Sequence, residues 1–448
     1  MTDRLETLTA ALLDAARKAG AEAADAIAVD GRAVSIDVRQ GRLEQAERAE
    51  GIEIGLRVLL GQRQALVSAS DISARTIAEM AERAVAMARE APVDPTLGLA
   101  DPSDLALRRD AEGLDLADPA PEPGSAELES DARRAEAAAL AVPGITQVQS
   151  ASASYSRRNV FLAASNGFAG GYARTSRSVA AVAITGEGLA MERDWASESR
   201  VFQADLPSPD AVGRQAGERT AARAGARKPP TGAFPVLFDE RIAAGLIGHL
   251  LAAANGSAVA RGASWLRDAL GTPVLPTGLS IVEDPLRPRI SGSRPFDAEG
   301  LPSRRRAIVE NGVLTGWTLD LGTARKLGLA STGSAVRGPS SPPSPSVSNI
   351  RLTQGTDSRE ALIGAMGRGL IVTSFLGSSV NPTTGDYSRG ASGFWVENGQ
   401  IAGPVNECTI AGNLRDFLMR VIPANDAREH LSHVVPSLLV EGLTIAGT

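Results

Sequence analysis

Residues 381–399 read NPTTGDYSRGASGFWVENG, and the fold follows from how this stretch divides. Its first half is turn chemistry: Asn381-Pro382, Gly385-Asp386 and Gly390 supply a fixed φ, positive φ and short side chains that bond their own backbone. Its second half predicts a strand, with Phe394 and Val396 on one side and Trp395 on the other. Asn398-Gly399 then suits a type I′ turn that sends a partner strand back through Ile401. A glycine-rich loop held against a hairpin either presents backbone groups to a ligand or is only a structural corner, and composition leaves both open.

Working outward, residues 370–375, 350–353, 306–310 and 279–282 predict further strands, with Asn311-Gly312 turning 306–310 back through 313–319. A buried-type strand at 234–238 precedes a helix at 240–254, and short helices fall near Ala324, Arg359 and Leu414. Residues 339–348, PSSPPSPSVS, cannot be helix and do not suit a central strand. They are a disordered linker or, because strands resume on both sides, an extended ordered segment.

In the N-terminal half, Leu5, Leu8, Leu12 and Ala16 recur at helical spacing, and Gly20 stands where a C-cap ends the helix. Four or five short strands are expected next. Val34, Ile36 and Val38 alternate, Gln40-Gly41 turns, 43–48 returns, and 52–60 is closed by Gly61-Gln62. Ser70 suits the N-cap of a helix whose core face carries Ile77, Met80, Ala84 and Val85. After a Pro- and Asp-rich loop at 92–123, a helix at 126–141, strands at 146–155 and 160–164, more strands to Arg200 and a helix at 210–224 repeat the order. A helix–hairpins–helix unit used twice predicts an internal duplication.

Together these readings predict an α+β fold of antiparallel, β-rich sheets with segregated helices. Lys228-Pro229-Pro230 marks the boundary between two domains, 1–226 and a strand-dominated 233–448. A chain of 448 residues also exceeds the size at which one core keeps growing.

A formal net charge of −6 argues against DNA or an anionic membrane as partner, since both reward excess Lys and Arg. The basic run Arg304-Arg305-Arg306 reads as a solvated strand end or a phosphate site. One cysteine, Cys408, permits no intrachain disulfide, and the charged start MTDRLETL lacks the apolar core of a signal peptide. No apolar run spans a membrane, so a soluble cytoplasmic protein is expected.

The sequence contains no GxSxG, no Gly-Lys pair for a phosphate loop and no GxGxxG. His430-x-x-His433 is a metal pair if helical and otherwise a surface loop. His249, among Leu246, Ile247, Leu250 and Leu251, reads as a core histidine with one satisfied ring nitrogen. Asn255-Gly256-Ser257 is a sequon without meaning in the cytoplasm.

Several ordered blocks resemble the TldD/PmbA family, in particular its PmbA (TldE) branch. They are AGAEAADAIAV (19–29), RLEQAERAEGIEIGLRVLLGQRQALVSASD (42–71), ARGASWL (260–266), the opening stretch continued by PVNECTIAGNL (404–414), and PSLLVEGLTIAG near the C-terminus. In the TldD branch the corresponding helix carries HExxxH, two zinc ligands and a water-activating glutamate, with a later cysteine as third ligand. Aligned on ARGASWL, this chain has Ile247 and Ala252 at the histidine positions and Gly248 at the glutamate, with Cys408 at the third position.

The resemblance implies the non-metal-binding subunit of a TldD/TldE zinc metallopeptidase, with no cofactor on this chain and zinc on a TldD-type partner. No catalytic residue is then expected here. Arg337, Ser379, Asn381, Thr383, Asp386 and Tyr387, within 337–346 and 378–387, are expected to line a cavity for peptides or unfolded segments. The alternatives are a homodimeric peptide- or protein-binding module without chemistry, and a modulator of DNA gyrase acting by direct contact.

Overall fold

The computed structural model describes residues 2–447, apart from the side chains of Thr2 and Ser378. Its first part uses one order of elements twice. Helix α1 (Thr2–Ala19), strands β1 (Ala23–Arg39), β2 (Arg42–Leu60) and β3 (Arg63–Ala69) and helix α2 (Ala74–Glu90) are followed by α3 (Ser125–Leu140), β4 (Ile145–Ala164), β5 (Ala169–Thr185), β6 (Glu192–Arg200) and α4 (Pro209–Ala221). The six strands form one antiparallel sheet in the order β3-β2-β1-β4-β5-β6, so the two units meet at the β1–β4 pair.

The strands are fewer and longer than expected. Gly31 and Gly51, which look like breaks, pair with each other inside a ladder that runs from Ala23↔Leu59 to Arg39↔Arg42. The segments 146–155 and 160–164 are one strand, because Ser156 to Asn159 keep their partners on both β1 and β5. Cross-strand pairing has overridden local turn propensity. The turns at Gln40-Gly41 and Gly61-Gln62 do form, with positive φ at Gln40, Gly41 and Gly61. The α2 cap is Ser73 rather than Ser70: its side chain accepts from the Thr76 amide.

All four helices lie on one face of this sheet. Leu5, Leu8, Leu12, Ile77, Met80 and Val85 pack on β1 and β2, while Leu128, Ala132, Ala135, Val212 and Ala216 pack on β4 and β5. The opposite face carries Ile27, Val29, Leu162 and Phe168, and Phe296 from the second half of the chain covers it.

In that second half, β7 (Gly232–Phe238), α5 (Glu240–Ala253) and α6 (Gly256–Ala260) lead into β8 (Ile281–Glu283), β9 (Arg306–Glu310) and β10 (Val313–Leu314). Next come α7 (Leu321–Leu327), β11 (Ala335–Val336), β12 (Ser344–Pro345), β13 (Ile350–Leu352) and α8 (Arg359–Met366). The chain finishes with β14 (Gly369–Val380), β15 (Asp386–Glu397), β16 (Gln400–Asn413), α9 (Leu414–Leu418), β17 (Val421–Pro423), β18 (His433–Val434) and β19 (Leu438–Ala446).

The main sheet runs β16-β15-β14-β7-β19-β17, and a further pairing of β16 with β19 curls it towards a barrel. Asn398-Gly399 forms the expected tight turn, with φ of 53° and 72°. Trp395 faces one core with α5 and Val396 the other with α8. The stretch expected to be turn as far as Gly390 is instead strand from Asp386 onward. Its glycines serve close packing: a methyl group on Gly393 would sit 1.8 Å from the Ile371 carbonyl oxygen, beside a bulge in the β14–β15 ladder.

Two pairings depart from the antiparallel expectation. β7–β14 is parallel because α5 and the long connection after it separate the two strands, and β13–β18 is parallel as well. Strand β10 ends at Leu314 rather than at 319. Residues 339–348 are ordered, and Ser344–Pro345 pair with Ala335–Val336. Pro339 presses against β2, where a methyl group on Gly55 would lie 2.1 Å from its carbonyl oxygen. Of the arginine run, Arg304 and Arg305 are exposed, whereas Arg306 bonds Glu283 at 2.8 Å and the Trp317 carbonyl at 3.1 Å.

Candidate functional site

Helix α5 is capped by Asp239, whose side chain accepts from the Arg241 amide at 3.3 Å, and it buries Ala243, Leu246, Ile247, Leu250 and Leu251 against the main sheet. Ile247 is fully buried, Gly248 half-buried, and Ala252 exposed on another side of the helix. Cys408 lies opposite Ala391 on β15 and donates its thiol to the Ala391 carbonyl at 3.2 Å. Burial pushes this thiol up to about 11. A protonated thiol, an isoleucine, a glycine and an alanine offer no lone-pair set for zinc, so these positions do not fit the ion. Among the described residues no group of three or more His, Cys, Asp or Glu could hold a metal.

His249 is half-buried, edge-on to the Tyr387 ring at 5.7 Å, and burial lowers its pKa. Its Nε2 has no hydrogen-bond partner among the described residues, nor has the Tyr387 hydroxyl. His430 lies 3.5 Å from Glu198 while His433 opens β18. Both are partly buried rather than free on a surface loop.

The expected cavity residues are spread over three environments. Ser379, Asn381, Thr383 and Asp386 are exposed around the β14–β15 turn. Asn381 Oδ1 accepts from the Thr383 and Thr384 amides at 2.9 and 3.2 Å, and Asp386 accepts from Thr384 at 2.7 Å and Asn413 at 2.9 Å, which holds its carboxyl below the usual range. Tyr387, by contrast, is a core residue packed on His249 and Phe417, its hydroxyl pushed up to about 12 by burial. Arg337 belongs elsewhere: it pairs with Asp25 of β1, which also accepts from Arg57 Nε at 2.7 Å. The side chain of Ser378 lies outside the described residues.

Arg337 also lines a half-enclosed cavity of about 460 Å³ between the helix-free face of the first sheet and residues of the second half, whose other lining residues the sequence reading missed. Ile27, Val160, Leu162, Phe296 and Val347 form its apolar wall, and Arg174, Arg294, Arg337, Asp297, Ser348 and His433 supply the polar part. Arg174 donates to the carbonyls of Ser291 and Ser293 and lies 5.1 Å over the Tyr172 ring. Asp297 accepts from the amides of Glu299, Leu301 and Ala335, yet burial raises its pKa. Glu299 is pushed up to about 8 by burial and by the neighbouring Asp297 charge. These groups come from distant parts of the chain, and no local spacing announces them. A second recess of about 480 Å³ lies beside Cys408, bounded by Arg223, Ser374, Ser392 and the exposed Leu376.

A repeated helix–strands–helix unit joined to a curled β-rich sheet defines the class of fold, and its α5 carries Ile247, Gly248 and Ala252 at the positions that the family resemblance compares with a metal site. The sequence patterns of PmbA/TldA metallopeptidase domain 1, central domain and C-terminal domain match residues 24–88, 118–224 and 231–447. The chain is 37% identical to Metalloprotease PmbA of Escherichia coli O157:H7 over 92% of its own length and 90% of that protein. It is 36% identical to a Metalloprotease PmbA homolog of Haemophilus influenzae over 97% and 94%. A crystal structure from Bacteroides thetaiotaomicron, described as a modulator of DNA gyrase, superposes with a TM-score of 0.92 at 26% identity, covering 100% of this chain and 99% of that one. TldE of Thermococcus kodakarensis shares the fold, with a TM-score of 0.85 at 20% identity over 98% and 100%. The chain belongs to the PmbA/TldD metallopeptidase family.

Proposed function

We propose that this protein is the PmbA/TldE-type subunit of a two-subunit metallopeptidase, completing a substrate chamber while a TldD-type partner supplies zinc and the water-activating carboxylate. The observation that supports the reading is helix α5: a chain that aligns with 90% of a Metalloprotease PmbA carries Ile247, Gly248 and Ala252 at the positions that the family resemblance assigns to the ligands and the base. The chain's own contribution is then to bind and orient. The β14–β15 turn, with exposed Ser379, Asn381, Thr383 and Asp386, offers polar groups beside strands whose edges can hold an extended peptide through main-chain hydrogen bonds. Direct DNA contact is disfavoured by the formal charge of −6.

The test is reconstitution. The purified chain alone should leave an unfolded peptide substrate intact, and addition of a TldD-type partner should produce cleavage that a chelator abolishes. Chelator-sensitive cleavage by the chain alone would contradict the proposal, as would a stable self-dimer that ignores the partner in native mass measurements.

A further inference from the structure

The 460 Å³ cavity has a charge imbalance that its neighbours do not correct. Arg174 has no carboxylate within ion-pair distance among the described residues; its guanidinium donates to the Ser291 and Ser293 carbonyls and, at 3.5 Å, to the Tyr172 hydroxyl, and lies over the Tyr172 ring. Arg294 is almost fully buried, and its nearest carboxylate, Glu283, is 4.0 Å away and already engaged by Arg306 and Ser348. Arg294 Nε has no hydrogen-bond partner among the described residues. The carboxylate in the wall, Asp297, is biased by burial towards its neutral form. Arg174 is half-buried with no carboxylate partner, and buried Arg294, which donates to the Ser346 carbonyl at 2.8 Å, has only a shared one at 4.0 Å, so this half-enclosed, partly apolar cavity favours an anionic ligand with a hydrophobic body.

We propose that the cavity binds the carboxyl-terminal residue of a peptide. Its α-carboxylate is taken by Arg174 and Arg294, which line the same cavity, Arg174 holding the carbonyls of Ser291 and of Ser293, the residue before Arg294. Its side chain lies against Ile27, Val160 and Phe296. A volume of 460 Å³ suits one or two residues, not a folded domain. Such a site would hold a chain end away from α5 and favour substrates with a free carboxyl terminus. The inference rests on the peptide-handling reading, but its test does not require cleavage.

The experiment is calorimetric titration of the full chain with the tripeptide Ala-Ala-Phe as free acid, the same peptide as C-terminal amide, and inorganic phosphate. The free acid should bind at least tenfold more tightly than the amide. Arg174→Gln and Arg294→Gln should each weaken it at least tenfold, and Arg294→Lys, which keeps the charge, should weaken it less; thermal melts check that the variants fold. Equal binding of acid and amide, no binding of either, or phosphate binding as tight as the free acid would overturn the proposal. Acid-specific binding by a chain that stays inactive with a TldD-type partner would sink the subunit reading and leave this site standing, whereas partner-dependent cleavage indifferent to the terminal carboxylate would do the reverse.

Discussion

The buried underside of α5 and the half-enclosed cavity against β1 are built from opposite chemistry. Under α5 lie Ile247, Leu250 and Leu251 with a protonated Cys408. In the cavity wall lie Asp297 and Arg337, and a small pocket nearby is lined by Asp25, Arg57 and Glu299; of these only Glu299 is half-buried rather than buried in its side chain. Burying charge is expensive and burying isoleucine is favourable, so the α5 side reads as stability and the β1 side as a place where polarity is kept for a purpose.

Breaking the charged side should have the largest effect. Asp25→Ala leaves Arg57 and Arg337 buried without their shared carboxylate, and urea denaturation should register a loss of about 3–5 kcal/mol. A loss under about 1 kcal/mol would mean that the two arginines find water or another partner, and the contrast with α5 would weaken.

How much of this contrast was legible beforehand depends on how local its residues are. The hairpin turn at Asn398-Gly399, the helix around Leu246 and the repeated helix–hairpins–helix order come from short-range patterns, and each is found. The absence of donors at 247, 248 and 252 is likewise visible from one helix and a shared block. The cavity is not, beyond Arg337, because Arg174, Arg294 and Arg337 are joined only by tertiary contacts. The breaks expected between 48 and 52 and between 155 and 160, and the turn expected as far as Gly390, misled for the same reason: cross-strand partners outweighed local turn preference.

A pH titration of stability sharpens the comparison further. Glu299 titrates near 8 in the fold against an ordinary value of 4.5, so the folded chain holds a proton that the unfolded chain has released. The stabilisation is complete below about pH 4.5 and is lost as pH rises to about 8. Within that window the wild-type protein should lose about 1.4 kcal/mol per pH unit more than Glu299→Gln. Parallel curves for the two proteins would show that Glu299 is ionised at neutral pH.

The smallest effect is expected on the hydrocarbon side. Cys408→Ser replaces a buried thiol that bonds the Ala391 carbonyl with a hydroxyl able to do the same, and stability should change by less than about 1 kcal/mol. Metal content should not change at all.

The account stands most directly on metal analysis of the chain purified alone and again after assembly with a TldD-type partner. It predicts zinc far below one ion per chain in the first sample and one ion per heterodimer in the second. A full equivalent of zinc on the isolated chain, retained through dialysis and removed by a chelator, would contradict it.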